Sequence, residues 1–229
     1  MRLHPALVVL LASTVVTVQA QGPPSRRPSA DMQVIADALG VTCEYCHTQT
    51  NVTASGKPRL AVARDMILMT ADLNARVQTA IGATTADGNR VDCVTCHRGV
   101  PVPRQLKDLV LESAVRQGPE AAVTLYRDLR GKYYGGQAYD FGETTLLAVA
   151  DRLAQSRPDA AIAITNLNLE FFPKSWRSYM ARGIAQSRRL DTTPAAVESF
   201  RKALEIDPNN GVVQGWLAQT EPLARRVTR

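Results

Sequence analysis

The sequence predicts a mainly helical chain in two parts: a small cysteine-bearing segment of short helices and loops, then an array of repeated helices. Three observations predict it. Apolar residues recur at three- and four-residue spacing, and no strand-like alternation is strong anywhere. The second half matches itself at an offset of 35 residues. The first half carries one pattern twice, Cys43-Glu44-Tyr45-Cys46-His47 and Cys93-Val94-Thr95-Cys96-His97. A length of 229 residues suits one large or two small domains, and 45% hydrophobic with 21% charged residues fits a folded chain.

Residues 1–20 read as a secretory signal peptide. Arg2 and His4 form a basic start, Leu7 to Val18 is apolar, and Val18-Gln19-Ala20 supplies small residues at the cleavage spacing. The apolar run is short for a membrane span, which needs about 20 residues. Membrane association is therefore expected only through a partner or an uncleaved signal segment. The expected location is the periplasm, with the cell surface as the alternative. Residues 21–30, rich in Pro, Ser and Gly, read as a linker. The net charge of +6 is spread along the chain, with no basic run interleaved with aromatics, so no nucleic-acid partner is expected.

The two C-x-x-C-H patterns carry the chemistry. This is the attachment sequence of c-type haem. Two thiols one short turn apart add across the two vinyl groups of a porphyrin, and the adjacent imidazole is held beneath the iron. The two copies use Cys43, Cys46, Cys93 and Cys96, which are all the cysteines, and His47 and His97, the only histidines beyond the signal segment. Two covalently bound haem c groups are expected, with His47 and His97 as proximal iron ligands. A zinc ribbon would separate its pairs by about 15–20 residues, whereas 46 residues lie between Cys46 and Cys93. A thioredoxin-like motif needs a βαβ setting that is absent, and disulfides give no reason for the repeated histidine. Residues 30–104 hold a single aromatic, Tyr45. A segment of this size has a marginal core of its own, so it is expected to depend on haem to fold.

With no spare histidine or cysteine, methionine remains as the soft distal ligand, and His/Met ligation raises the reduction potential. Met32, Met66, Met69 and Met180 are available. A short helix carrying Met32, Ile35, Ala36 and Leu39 on one face should stop at Gly40, just before Cys43. A longer helix over Leu60 to Ile81 should present Ala63, Met66, Thr70, Leu73, Val77 and Ile81, and end at Gly82. Met66 and Met69 both lie near that face, and periodicity does not choose between them.

The run from Met66 to Asn74, followed by Val91 to Pro103, resembles the photosynthetic reaction-centre cytochrome c subunit family. In that family an M-x-x-M-T-x-x-h-N helix precedes C-x-x-C-H-R-G-x-P-x-P. Leu39 to His47, with Met32 eleven residues before Cys43, resembles another haem unit of the family. The resemblance implies that Met32 and Met66 are the distal ligands, with Asn74 the matching asparagine and Met69 packed beside the haem. The family carries up to four haems in two pairs and takes one distal histidine from a loop. This chain has one pair and no histidine between Gly82 and Val91, which fits a two-haem relative serving another partner.

The second half aligns Ala160-Ala161-Ile162 with Ala195-Ala196-Val197, Leu169-Glu170 with Leu204-Glu205, and Pro173 with Pro208. Ala121-Ala122-Val123 begins a poorer third copy, with Tyr126 in the place of Phe200. The small–large–proline order is that of a tetratricopeptide repeat, whose usual period is 34. Partner helices are expected over Glu143–Gln155 and Ser175–Arg188, with a cap over Gly211–Arg225. Gly131 to Gly136 reads as a loop in which Lys132 is solvated. The expected organisation is a signal peptide (1–20), a linker (21–30), a dihaem cytochrome c domain (31–104) and tetratricopeptide-like repeats (105–229). The expected function is single-electron relay between redox partner proteins, with the repeats docking a partner. A peroxidase-like dihaem enzyme and a haem-bearing adaptor or sensor are the alternatives. Catalytic residues are not expected.

Overall fold

The computed structural model describes residues 30–48, 58–82 and 90–227. The expected signal peptide and the linker up to residue 29 lie outside the described residues. Within them the chain is mainly helical and has no strand.

Helix α1 (Ala30–Leu39) ends where glycine was expected to end it. Gly40 adopts φ 62°, its N–H donates to Asp37 O, and Val41 N–H donates to Ala36 O, both at 3.1 Å. These are the paired bonds of a left-handed C-terminal cap. Helix α2 (Pro58–Ile81) also ends at a left-handed glycine, Gly82 (φ 63°), whose N–H donates to Gln78 O at 3.0 Å. The first Cys motif forms a 3₁₀ turn over Cys43–Tyr45, and the second forms helix α3 (Cys93–His97). The Gly99 N–H donates to Ala38 O at 2.8 Å. A Cβ on Gly40 would collide with the Gly99 carbonyl. Glycine at 40 thus lets the loop before one motif touch the loop after the other.

The second half is built from helix pairs. These are α4 (Leu106–Arg116) with α5 (Pro119–Tyr133), α6 (Glu143–Leu153) with α7 (Pro158–Phe171), and α8 (Trp176–Gln186) with α9 (Thr193–Ile206). Helix α10 (Gly211–Val227) packs on α9. Proline opens α5, α7 and α9, where its missing N–H costs nothing. Pro173 and Pro208 fall just beyond α7 and α9, as the repeat predicts. Tyr126, Leu146, Leu153, Ile164 and Leu167 form one fully buried core, with Ala122 and Ala161 letting the helices close up. Phe200, Ala196, Ala203 and Val213 form a second, and Trp216 stacks on Phe200 at 6.1 Å. Buried Asn168 joins three helices, donating to Glu143 O at 3.1 Å and Ser178 Oγ at 2.8 Å.

Two expectations need correction. The segment from Gly131 is not all loop, because α5 runs on through Gly131 and Lys132 to Tyr133. Arg130 and Lys132 sit on its last turn, where cations suit the helix dipole. Lys132 is exposed, with its ammonium 4.9 Å from the Tyr133 ring centre. The sequence reading also passed over α4, although Leu106, Val110 and Ala114 make a buried stripe at four-residue spacing.

Two helical glycines should respond oppositely to substitution. A Cβ at Gly183 would lie 2.6–2.9 Å from the buried Phe200 ring. Gly183→Val should therefore destabilise the chain by about 1–3 kcal/mol through overpacking. Gly131 faces open space, and Gly131→Ala should stabilise by roughly 0.5–1 kcal/mol through helix propensity. Denaturant unfolding of both variants checks the signs.

Candidate haem sites

The second motif is built by local bonds. Asp92 N–H donates to Thr95 Oγ1 at 3.0 Å and fixes the start of α3. Arg98 then turns left-handed (φ 50°), followed by Gly99 (φ 89°). The chain reverses so that Val100 N–H returns to His97 O at 3.0 Å. The same reversal sets the Val100 carbonyl 3.0 Å from Nδ1 of buried His97. A carbonyl only accepts, so Nδ1 carries the proton and Nε2 is left with its lone pair uncommitted.

Asn74 joins this motif to α2. Its Nδ2 donates to Val91 O at 2.8 Å, and Val91 N–H donates to its Oδ1 at 2.7 Å. Met66, Thr70 and Asn74 are spaced by four on one helical face. The clamp that anchors the approach to Cys93 therefore also orients Met66.

Between these elements lies an apolar cleft of about 190 Å³. Ile35 and Leu39 of α1, Met66, Met69 and Leu73 of α2, and Cys93, Cys96 and His97 of α3 line it, and Cys46 of the first motif reaches its edge. Both α2 methionines thus face the second motif. Met66 is half-buried and Met69 is 44% exposed. Arg59, also on the cleft, sits 4.2 Å over the Tyr45 ring and ties the first motif to α2.

The first motif is held differently. His47 N–H donates to Cys43 O at 3.0 Å. The His47 ring is half-buried, and its Nδ1 has no hydrogen-bond partner among the described residues. Met32, on the first turn of α1, is 47% exposed. Met32, Cys43 and His47 do not line the cleft that unites the second motif with α2.

No disulfide joins any two of the four cysteines. Among the described residues no three of His, Cys, Asp and Glu converge as a metal site. Cysteine pairs outside any disulfide, an imidazole with Nε2 uncommitted and an apolar cleft faced by thioethers together fit a covalently attached haem. Sequence reasoning missed the Val100 carbonyl, the Arg59–Tyr45 contact and the way Asn74 works. No residue-type signal marks a backbone acceptor, and the other two depend on tertiary approach.

Residues 29–125 match the family model of the photosynthetic reaction centre cytochrome C subunit. This segment is similar to c-type cytochromes that serve electron transport, and the likeness implies covalently bound haem c. Cytochrome c-554 of Chloroflexus aurantiacus is 36% identical over 69 residues, 30% of this chain and 16% of that protein. The reaction center cytochrome c subunit of Rubrivivax gelatinosus is 35% identical over 82 residues, 36% of this chain and 20% of that protein. That of Roseobacter denitrificans is 37% identical over 85 residues, 36% of this chain and 22% of that protein. The chain thus spans less than a quarter of the length of these relatives. No solved structure matches it.

Loss of the Asn74 clamp should be measurable. Asn74→Ala leaves the Val91 N–H and carbonyl unpaired and should cost about 1–3 kcal/mol in unfolding of the haem-loaded protein. Asn74→Asp keeps an acceptor for the N–H and should cost less. Equal losses from the two would remove the clamp as the explanation.

Proposed function

We propose that this chain is an exported dihaem c-type cytochrome that relays single electrons between redox partner proteins. Bound haem c supplies a one-electron iron couple at each motif. Cys43 and Cys46 hold one group through thioethers, and Cys93 and Cys96 the other. His47 and His97 would be the proximal iron ligands, and Met32 and Met66 the distal ones. The observation that carries the reading is the apolar cleft in which Met66 faces Cys93, Cys96 and His97.

Each residue's task is to keep the site unchanged between oxidation states. The Val100 carbonyl holds the His97 ring in one tautomer and orientation, and Asn74 holds Met66 in register with it. The apolar walls exclude water, which favours outer-sphere exchange over ligand chemistry. Methionine is the family-implied ligand at 66, and Met69 packs beside it. The helices from residue 105 form a tetratricopeptide-like array that docks a partner. No described helix is long and apolar enough to cross a membrane. Export to the periplasm rests on the signal-like first twenty residues.

A pyridine haemochrome count on the exported protein should return two c-type haems per chain, and Cys93→Ala/Cys96→Ala should return one. The reduced wild type should show no carbon monoxide shift. Met66→Ala should open one haem to carbon monoxide, whereas Met69→Ala should not. Carbon monoxide binding to the wild type would favour the peroxidase-like or sensor readings. Absence of covalent haem in a host that matures cytochromes would end the proposal.

A further inference from the structure

A second, larger cleft of about 660 Å³ lies on the other side of the second motif. Cys96 lines both clefts. One wall comes from the motif and its exit, including Arg98 and Arg104. The other comes from the helical array, including Lys107 of α4, Tyr139 and Thr144. A groove between α4 and α6 adjoins the cleft, sharing Lys107 and Ala148 with it, and its charges balance as Lys107 and Arg152 against Asp108 and Asp151.

The charge on the cleft is one-sided. Arg98, Arg104 and Lys107 line it against a single carboxylate, Asp140. Asp140 is already engaged, accepting the Gly142 N–H at 2.7 Å. Arg104 is paired with Glu112 at 2.7 Å, and that hydrogen bond holds the Glu112 carboxyl below its usual range. Arg98 and Lys107 are exposed and have no carboxylate in ion-pair range among the described residues. Arg98 also occupies a left-handed backbone position that usually falls to glycine or asparagine. A long cation thus stands at a backbone position that the left-handed conformation alone would not select.

We propose that this cleft is the docking site of an acidic segment of the redox partner protein. The inference rests on the electron-relay function above and names where the partner sits. Charge complementarity selects the occupant. A second copy of this chain, itself at +6, would be repelled. Haem propionates are poor candidates because they leave the porphyrin from the edge opposite its two thioethers, whereas Cys96 borders this cleft. An acidic segment seated here would contact the motif and the array at once, with its body lying along the α4–α6 groove and its charged end beside Cys96.

The probe is a fluorescein-labelled decaglutamate peptide, followed by anisotropy on the haem-loaded full chain at low ionic strength. Lys107→Glu, on α4 and outside the haem motif itself, should weaken binding roughly tenfold and flatten its salt dependence, as charge reversal at a docking rim does. Arg98→Gln should weaken it in the same direction. Arg226→Glu, an equal charge change at the exposed end of α10, should leave binding within about twofold. Equal weakening by Arg226→Glu would reduce the effect to net charge and overturn the site. Oligothymidylate binding as tightly as the peptide, with the same sensitivity to Lys107, would overturn a protein segment in favour of any polyanion. Reduction by ascorbate through a small mediator is the control for the underlying function. If it fails in the wild type, the relay reading fails. If it succeeds while the peptide ignores Lys107 and Arg98, only the docking site is lost.

Discussion

The segment bearing both Cys motifs buries very little of itself. Among its described residues only Ala38, Leu60 and Val100 are buried apolar side chains, together with His97. The 24-residue α2 faces the second motif across a cleft lined by its own methionines and leucine. A helix of this length gains most of its stability from packing an apolar face, and here Met66, Met69 and Leu73 of that face line the cleft. The proposed haem would supply an apolar body for that cleft. Each remaining feature of the segment reads as a way to keep its walls in register around such a body.

Three short-range devices do this. The backbone contact between Gly40 and Gly99 brings the two motifs together where any side chain would force them apart. The Asn74 amide imitates a paired peptide group and binds Val91 with both of its polar atoms. The turn through Arg98 and Gly99 returns Val100 beneath His97. None of them adds much buried area. They restrict geometry, which is what a ligand set needs if its two oxidation states are to share one structure.

The likeness to cytochromes c was legible in the sequence, and the tertiary register much less so. C-x-x-C-H states its own purpose because thiols and imidazole are rare and their spacing is dictated by the porphyrin. Gly40 and Gly82 marked helix ends because left-handed caps favour glycine at little cost. The alanine, aromatic and proline spacing foretold α6 to α9 because a repeat exposes its pattern by recurrence. Helix α4 was missed because it lies outside that recurrence, and its stripe of Leu106, Val110 and Ala114 is short. The end of α5 was misread because Gly131 and the neighbouring tyrosines resemble turn residues, while packing of Tyr133 against Tyr139 at 5.3 Å carries the helix onward. Met66 and Met69 stay together on the cleft, so geometry and periodicity leave the same pair that only the family pattern separates.

The two halves differ in what they need in order to fold. From α4 onward the chain owns large buried side chains, two cores, and an asparagine that bonds across three helices. Such a body is rigid without help and can act as the fixed base against which the less self-sufficient segment is arranged. The junction is short: Pro101, Pro103 and the Arg104–Glu112 ion pair carry the chain from the Val100 turn directly into α4. Proline restricts the exit from the second motif, and the ion pair fastens that exit to α4. An exposed pair of this kind adds little to stability. Its effect is orientation, since it fixes which face of α4 turns toward Cys96. The basic cleft exists because of that orientation. A flexible tether at residues 101–105 would keep both halves intact and still lose the surface they make together.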